Sequence, residues 1–405
     1  MFWICSWDNN VKSRSWGATF FLPIANLSPF PTVYLASTPI YNKYYLVFSW
    51  FCLLAKGVVF RHALFYFPPK KFSSPPPISY LWFMMKALIL TENGKFPQPL
   101  EAENPRPLEG QAVVQVRAAS LNHRDLWIVK GQYPSIQYPL ILGSDASGIC
   151  EGQEVVIQPG IGWGSSESYQ GKDYQILGMP RHGTMAQQML VERSQIFPKP
   201  SHLSMEAAAA LPLAGLTAYR VLFSRCKAQA GEKILVTGAG GGVALFCIQF
   251  ALKAGLEVYV TSGSDEKINK AKALGATAGV NYRSGNWSAD LKKLAGGFDI
   301  VLDGAGGSGF TQLVKLCNPG ARMGIYGGTL GAVPDFSPQP LFWKQISILG
   351  STMGSDHDFA EMLAFVNKHK IEPVIDSVYE LGDGAAAFER MESGEQFGKI
   401  VLRMP

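Results

Sequence analysis

Residues 232–267 read EKILVTGAGGGVALFCIQFALKAGLEVYVTSGSDEK, and this stretch decides the fold of the region around it. The run ILVT at 234–237 is short, apolar and β-branched, as is typical of a strand buried on both faces. The following run, VALFCIQFALKAG, has helical periodicity and ends at Gly255. EVYV then starts a second strand. The order strand, glycine-rich turn, helix, strand predicts a βαβ unit.

The turn between the first strand and the helix contains four glycines: Gly238, Gly240, Gly241 and Gly242. A pyrophosphate binds backbone N–H groups at a helix N-terminus, and a Cβ at the point of approach would block it. The spacing GxxGxxA puts Gly238 at the turn, Gly241 at the close approach and Ala244 at the helix–strand packing point. We therefore interpret the four glycines and Val243 as a dinucleotide-binding turn; the alternative is a glycine-rich turn without a ligand.

The end of the second strand indicates which dinucleotide is bound. A free ribose 2′-hydroxyl favours an acidic residue there, but this chain has Ser262 and Ser264, with Lys267 on the next helix. Small hydroxyls and a cation suit a 2′-phosphate, so we expect NADPH rather than NADH. The alternative is that Ser264 or Asp265 is simply a helix N-cap.

Four further strands are predicted downstream, separated by helical segments. They lie within residues 274–282, 298–307, 320–328 and 347–353. This alternation predicts an α/β fold with a doubly wound parallel sheet. Gly306 and Gly327 stand at strand carboxyl ends, where such sheets bind ligands, and are therefore predicted cofactor contacts.

The net charge of +5 is distributed unevenly along the 405 residues. Residues 1–84 contain seven Lys or Arg and one acid, so they carry +6, whereas residues 85–405 carry −1. The positive charge therefore belongs to the leading segment, and it gives no support for a nucleic-acid partner.

Residues 1–84 are rich in aromatic residues and show no sustained periodicity. Their longest apolar run, Tyr44 to Ala55, is too short to cross a bilayer, so we expect no stable membrane insertion. The stretch PPKKFSSPPP at 68–77 is a proline-rich linker. Three interpretations of residues 1–84 stay open: upstream sequence outside the working protein, a transit segment or a membrane-surface segment tethered through 44–67, or a folded module. A start at Met85 implies a cytoplasmic protein, whereas a leader implies a plastid or mitochondrion.

The six cysteines are scattered, and none forms a CxxC pair or a Cys–His cluster with ligand spacing. A closed structural zinc site and a disulfide framework are therefore both disfavoured.

Residues 85–205 contain short strands, including KALIL, AVVQVRAAS and EVVIQPG, and read as a small β-rich domain. From Met85 to Pro405 the chain resembles the medium-chain dehydrogenase/reductase superfamily, and within it the quinone-oxidoreductase-like branch. The motifs that carry the resemblance are SLNHRDLW (120–127), LILGSDASG (140–148), AAALPLAGLTAYR (208–220), TGAGGGV (237–243), ILGSTMGS (348–355) and FGKIVLR (397–403).

The resemblance implies a chaperonin-10-like β domain with a Rossmann domain inserted into it. The implied boundaries are 85–205 for the substrate domain, 206–349 for the NADP-binding domain and 350–405 for a C-terminal return to the substrate domain. It also implies a homodimer and a substrate cleft between the domains.

Catalytic roles in that cleft are implied for three residues. Asn122 and Tyr133 would donate hydrogen bonds to the acceptor, and Trp127 would line the cleft. The alternative is a turn residue for Asn122, an aromatic residue at the rim for Tyr133 and a core residue for Trp127. Asp125 is expected to orient backbone rather than to act as a base.

Further cofactor contacts are implied for Thr217, Lys267, Tyr282 and Lys399. The alternative for Lys399 is a solvated lysine after a turn.

The resemblance also allows the catalytic zinc positions to be compared. The zinc-dependent branch of the family holds this metal with Cys, His and Cys. Asn122, Ser144 and Leu213 occupy these positions here, and none is a thiolate or an imidazole. We therefore expect no zinc.

One departure from the family lies between Gly148 and Gly152. About fifteen residues, the size of a strand–turn–strand unit, are missing there. Their loss should expose a sheet edge and damage the substrate domain.

The sequence as a whole predicts a zinc-independent, NADPH-dependent reductase of a quinone, an enone or a related carbonyl compound. The alternatives are a non-catalytic NADPH-binding protein with a crippled cleft and, less favoured, a zinc-dependent alcohol dehydrogenase.

Overall fold

The computed structural model describes residues 84–405 in full and, before them, the backbone of three strands: β1 Ala36–Ser37, β2 Leu46–Leu54 and β3 Gly57–Phe65. The chain divides into two compact units, Met1–Pro77 and Ile78–Pro405. In the first unit β2 and β3 form an antiparallel hairpin of nine residue pairs, and β1 pairs with β2. The leader and membrane-tether hypotheses concern residues that lie mostly outside the described part of the chain.

The second unit begins with the β domain, whose elements are short and closely spaced. Its strands are β4 Met84–Leu90, β5 Gln98–Glu103, β6 Gln111–Ser120, β7 Leu140–Ile141, β8 Asp145–Cys150, β9 Gln153–Ile157, β10 Gly160–Ile161, β11 Gln175–Ile176, β12 Gln188–Glu192 and β13 Ile196–Pro198. Its helices are α1 His123–Val129 and α2 Met205–Ala210. Alternation along β6 buries Ala112, Val114 and Val116 in the core of this domain, as expected for an antiparallel sheet with one buried face.

The chain closes directly across the site of the missing unit. Glu151 and Gly152 have φ values of 50° and 82° and form a two-residue turn, so that Cys150 pairs with Gln153. This turn joins β8 and β9 into a tight hairpin, because positive φ at both central residues matches the twist of the strands.

The sheet edge expected at this deletion is confined to the start of β6. Gln115 pairs with Gln188 of β12 and with Ile149 of β8, so these two strands lie on opposite sides of β6. Residues 111–114 pair with β12 on one side, and no described strand pairs with them on the β8 side. The predicted damage is therefore four residues of open edge rather than a disrupted domain.

The cofactor domain is built on a six-stranded sheet in which every pairing is parallel. Its strands are β14 Lys233–Val236, β15 Glu257–Ser262, β16 Ala278–Asn281, β17 Phe298–Asp303, β18 Cys317–Ile325 and β19 Ser347–Gly350. Their order in the sheet is β16-β15-β14-β17-β18-β19. This arrangement confirms the predicted doubly wound sheet, with its switch point between β14 and β17.

Helices cover both faces of this sheet. They are α3 Pro212–Tyr219, α4 Gly242–Lys253, α5 Asp265–Ala273, α6 Trp287–Ala295, α7 Phe310–Leu316, α8 Gln339–Lys344 and α9 Asp356–His369. Phe246 and Phe250 of α4 pack in one core with Phe359 of α9, while Phe310 and Leu313 of α7 pack in the core of the opposite face. No helix in the described part of the chain is long and apolar enough to cross a membrane.

The chain returns to the β domain after α9. It does so through β20 Ile375–Glu380, α10 Gly384–Glu392 and β21 Lys399–Arg403. β21 pairs antiparallel with β6 and parallel with β20, extending the β-domain sheet to seven strands. α9 itself packs in one core with α4 of the cofactor domain.

Candidate active site

The glycine turn joins β14 to α4 and has the backbone that glycine alone adopts easily. Gly238 and Gly240 have φ values of 69° and 124°, both in the left-handed region. Gly241 is the N-cap of α4, and a Cβ on Gly242 would lie 2.8 Å from Cδ of Lys399. Since the first N–H groups of a helix have no partner within the helix, this end of α4 can bind an anion.

A cleft of about 400 Å³ lies in front of this turn and brings most of the predicted site residues together. Those that line it are Asn122, Trp127, Tyr133, Thr217, Gly238, Gly241, Gly242, Val243, Gly327 and Lys399. Those outside its lining are Gly240, Ser262, Ser264, Lys267, Tyr282 and Gly306. The residues outside the lining belong to the part of the glycine turn that faces away from the cleft, or to the ends of neighbouring strands and the segments that follow them.

The floor of the cleft is organised by the carboxylate of Asp145, which is completely buried. It accepts hydrogen bonds from Asn122 Nδ2 at 2.9 Å and Lys399 Nζ at 3.0 Å, and from the backbone N–H of Leu213 at 2.8 Å. Ser120 Oγ lies 3.1 Å from the same carboxylate. Two strands, β6 and β21, and the N-termini of two helices, α1 and α3, therefore converge on one acidic side chain of β8.

Lys399 is not the solvated lysine of the alternative interpretation. Its side chain is 3% exposed, and its ammonium also donates to the backbone oxygen of Leu121 at 2.8 Å and to Asn122 Oδ1 at 2.6 Å. With Asp145 these contacts use all three N–H donors of the ammonium.

The three positions at which the zinc-dependent branch holds its metal do not fit that metal here. The Asn122 amide is engaged with Asp145 and Lys399, and Ser144 Oγ donates to the backbone oxygen of Leu177 at 2.8 Å. Leu213 offers only its backbone and an aliphatic side chain. Residues 84–405 likewise contain no cluster of His, Cys, Asp and Glu that could hold a metal ion.

Aromatic side chains from α1 and the following loop form one wall of the cleft. Trp127 meets the ring of His123 edge to face, with centroids 5.6 Å apart, and the Arg124 guanidinium lies 5.6 Å from the centre of the Tyr133 ring. Burial and the nearby Lys130 lower the pKa of His123, which favours a neutral imidazole.

Asp125 supports the start of α1, as predicted. Its Oδ2 accepts the backbone N–H of Asn122 at 2.8 Å, and its Oδ1 is buried without a hydrogen-bond partner in the described structure. Burial is the main reason that the pKa of Asp125 rises to about 6.

At the far side of the turn, the two predicted serines hold the backbone. Ser262 Oγ donates to the backbone oxygen of Ala239 at 3.0 Å, and Ser264 Oγ accepts from the backbone N–H of Lys267 at 3.3 Å. Ser264 is thus the N-cap of α5, as its alternative interpretation proposed. The Lys267 ammonium donates to the backbone oxygen of Gly394 at 2.7 Å.

The end of β15 is enclosed by two side chains, one of which was not predicted. A Cβ on Gly263 would lie 2.7 Å from the hydroxyl of Tyr282 and 3.0 Å from Nε of Arg283. Tyr282 was expected there, whereas Arg283 was missed. Its only signal in the sequence is its position directly after Tyr282.

Gln396 is a second residue that sequence reasoning missed. It lines the cleft, is 8% exposed, and its Oε1 is buried without a hydrogen-bond partner in the described structure. Such an orphan acceptor is costly unless a ligand satisfies it, which fits a cofactor bound in the cleft.

The loops at the ends of β17 and β18 complete the cleft. Asp303 accepts from Thr237 Oγ1 at 2.6 Å and from the backbone N–H of Gly306 at 2.9 Å. A Cβ on Gly327 would lie 2.8 Å from the backbone oxygen of Gly304. Gly306 therefore shapes the loop, and Gly327 allows the two strand ends to approach each other.

This fold and cleft define a two-domain oxidoreductase of the nicotinamide-dependent type. The chain matches the alcohol dehydrogenase GroES-like domain family over residues 108–201 and the zinc-binding dehydrogenase family over residues 242–368. It belongs to the medium-chain dehydrogenase/reductase superfamily.

Curated relatives of the chain carry both zinc-type and quinone-type names. The chain is 34% identical over 348 residues to the zinc-type alcohol dehydrogenase-like protein YogA of Leptosphaeria maculans, covering 77% of this chain and 97% of that protein. It is 31% identical over 335 residues to the quinone oxidoreductase of Rattus norvegicus, covering 79% and 98%.

A crystal structure of an NAD-dependent alcohol dehydrogenase superimposes with a TM-score of 0.76 at 35% identity, covering 79% of this chain and all of that one.

The buried carboxyl of Asp125 should make stability depend on pH. Its folded pKa of about 6 lies above the ordinary 3.8, so the folded chain holds this proton more tightly than the unfolded chain does. The stabilisation that this proton gives to the folded state is fully present below the pKa of the unfolded state. It is lost as pH rises through the pKa of the folded state, by up to about 3 kcal/mol. Asp125→Asn keeps an oxygen for the Asn122 N–H and should remove this loss.

Urea unfolding of both proteins between pH 4 and 7 measures the effect. We expect the stability of Asp125→Asn relative to wild type to increase with pH across this range. Exposed Asp173 provides the matched control, since Asp173→Asn should leave the pH dependence unchanged. Parallel curves for wild type and Asp125→Asn would contradict the assignment.

Proposed function

We propose that the protein is a zinc-independent, NADPH-dependent oxidoreductase that reduces a quinone, an enone or a related carbonyl compound. One observation carries the proposal. A single cleft joins the glycine turn to Asn122, Trp127 and Tyr133, while the family's metal-ligand positions hold an amide, a hydroxyl and an isobutyl group.

The residues around the cleft suit the parts of the cofactor. The glycine turn would receive the pyrophosphate at the N-terminus of α4, and Gln396 Oε1 would accept a hydrogen bond from a ribose or carboxamide group. Lys267, Tyr282 and Arg283 stand at the end of β15, where a 2′-phosphate would lie. NADPH supplies a hydride from C4 of its nicotinamide ring when it is bound.

The chain's own residues would then orient the acceptor and stabilise the charge that develops on it. The Asn122 amide has one N–H left to donate to the acceptor oxygen, and the Tyr133 hydroxyl can donate a second hydrogen bond or relay a proton. Trp127 offers an aromatic wall for a flat acceptor. Because the side chains at the family's metal positions are not metal ligands, nothing there would lower the pKa of an alcohol, which favours acceptors that are already electron-poor.

The shortened β8–β9 hairpin contributes no residue to the lining of the cleft. Within the described residues, the side chains that line it pass from Tyr133 directly to Ile176, and none comes from the segment between them. This supports a catalytic protein over a non-catalytic NADPH-binding one.

We propose that the protein acts as a homodimer through the free edge of β19. Among the described strands, β19 pairs only with β18. Ile348 of β19 is 38% exposed, and Phe342 and Trp343 of α8, the helix just before β19 in the chain, are 66% and 80% exposed. An unpaired strand bordered by large apolar side chains is suited to pairing with its copy.

Acceptor selectivity tests the proposed chemistry. The protein should oxidise NADPH in the presence of a simple benzoquinone and should not reduce NADP⁺ with ethanol or a secondary alcohol. Loss of the donor in Asn122→Ala should lower kcat by about 100-fold. Exposed Asn286, changed to Ala, serves as the matched control. Tight NADPH binding without turnover of quinone or enone would contradict the proposal.

Cofactor preference tests the role of Arg283. A charge-assisted hydrogen bond contributes about 1.5–3 kcal/mol, so Arg283→Gln should raise the Kd for NADPH by at least about tenfold. The Kd for NADH should stay the same, because NADH lacks the 2′-phosphate. Fluorescence titration measures both constants, with exposed Arg117→Gln as the control. An equal change for both cofactors would contradict a 2′-phosphate contact.

Sedimentation velocity tests the dimer. Trp343→Glu places a charge on the proposed interface and should shift the protein from dimer to monomer at micromolar concentration. Leu108 is 76% exposed in the β domain, so Leu108→Glu is a matched control that should remain dimeric. A wild-type protein that sediments as a monomer would contradict the proposal.

A further inference from the structure

The amide of Asn122 is held between two groups of opposite hydrogen-bonding character. Its Oδ1 accepts from Lys399 Nζ at 2.6 Å, and its Nδ2 donates to Asp145 Oδ2 at 2.9 Å. An ammonium can only donate and a carboxylate can only accept. Rotating the amide by 180° would therefore break both bonds and turn an N–H group toward the ammonium. The ion pair therefore fixes the orientation of the amide, with Oδ1 toward Lys399 and Nδ2 toward Asp145.

We propose that Asp145 and Lys399 are positioning residues that fix the Asn122 amide so that its second N–H is presented to the acceptor oxygen. The inference rests on the proposed reductase function and adds the two residues that orient its hydrogen-bond donor, the Asn122 amide. In this arrangement a preoriented amide N–H replaces the polarising role that a metal has in other oxidoreductases.

The ammonium of Lys399 acts through Asn122 and not directly on the acceptor. All three of its N–H donors are used, on Leu121, Asn122 and Asp145. Its side chain is 3% exposed, and its stem packs against Gly242 of the glycine turn. A direct contact with the acceptor would require one of these bonds to break.

The carboxylate of Asp145 is in turn prevented from rotating. Its Oδ1 accepts the backbone N–H of Leu213 at the start of α3, while its Oδ2 faces Asn122 and Lys399. Because α3 belongs to the cofactor domain and Asn122 to the β domain, the amide is oriented relative to both walls of the cleft. The backbone N–H of Asn122, held by Asp125, fixes the base of the same side chain.

Enzyme kinetics of a neutral pair test the proposal. A single substitution leaves a buried unpaired charge and risks unfolding, so the variant is Asp145→Asn with Lys399→Met. The amide introduced by Asp145→Asn can both donate and accept, so it would allow either orientation of Asn122. We expect kcat for quinone reduction to fall by about 10- to 100-fold, while the KM for quinone and the Kd for NADPH change by less than about threefold.

A double-mutant cycle separates positioning from a merely structural role. If the pair acts through Asn122, adding Asn122→Ala to the neutral pair should lower kcat no further than Asn122→Ala does alone. Multiplicative losses would overturn the proposal. So would a large rise in the Kd for NADPH at unchanged kcat, which would assign Lys399 to the cofactor. The control is Arg403→Met with Glu206→Gln, an exposed ion pair that also involves β21.

A readout independent of turnover keeps this test distinct from that of the proposed function. Absence of NADPH oxidation by the wild type would refute the function alone. The side-chain amide protons of Asn122 can be assigned by their loss from the ¹⁵N–¹H spectrum of Asn122→Ala. Their exchange with water should be slow in the wild type and at least about tenfold faster in the neutral pair. Equal exchange rates in the two proteins would overturn the positioning role.

Discussion

The buried ion pair between Asp145 and Lys399 is the interaction on which the cleft depends. Breaking such a pair by removing one partner typically costs about 3–5 kcal/mol, because the remaining charge is left without compensation. Here the carboxylate also binds the backbone of Leu213 and the amide of Asn122. The β domain, the cofactor domain and the C-terminal strand β21 therefore meet at one acidic group.

The cofactor domain was predictable because its signals are local. The β-branched run at 234–237, the glycines after it and the periodic helix specify a βαβ unit within a few turns of chain. Gly238 and Gly240 have positive φ, which explains why glycine is needed at these two positions. Ser264 illustrates the limit of such reasoning, since the same residue type serves as an N-cap and as a phosphate contact, and the structure shows the N-cap.

The rest of the site, and the edge of the β-domain sheet, depend on contacts between residues far apart in the chain. Asn122 and Lys399 were each expected at the cleft, but they are 277 positions apart and their mutual bond left no sequence signal. The hairpin at Glu151 and Gly152 shows a second limit. A missing segment of sequence predicts an open edge, whereas the length of that edge depends on how β8 and β12 flank β6. Four residues stay open instead of a whole strand.

Hydride transfer in this cleft is proposed to need no metal. The most direct test is to purify the full chain, remove metal ions with a chelator, measure residual zinc and assay NADPH oxidation with a quinone. If no metal is needed, the protein should hold far less than one zinc per chain before chelation, and its turnover should change by less than about twofold afterwards. One tightly bound zinc per chain, with activity lost on chelation and restored by zinc, would contradict it.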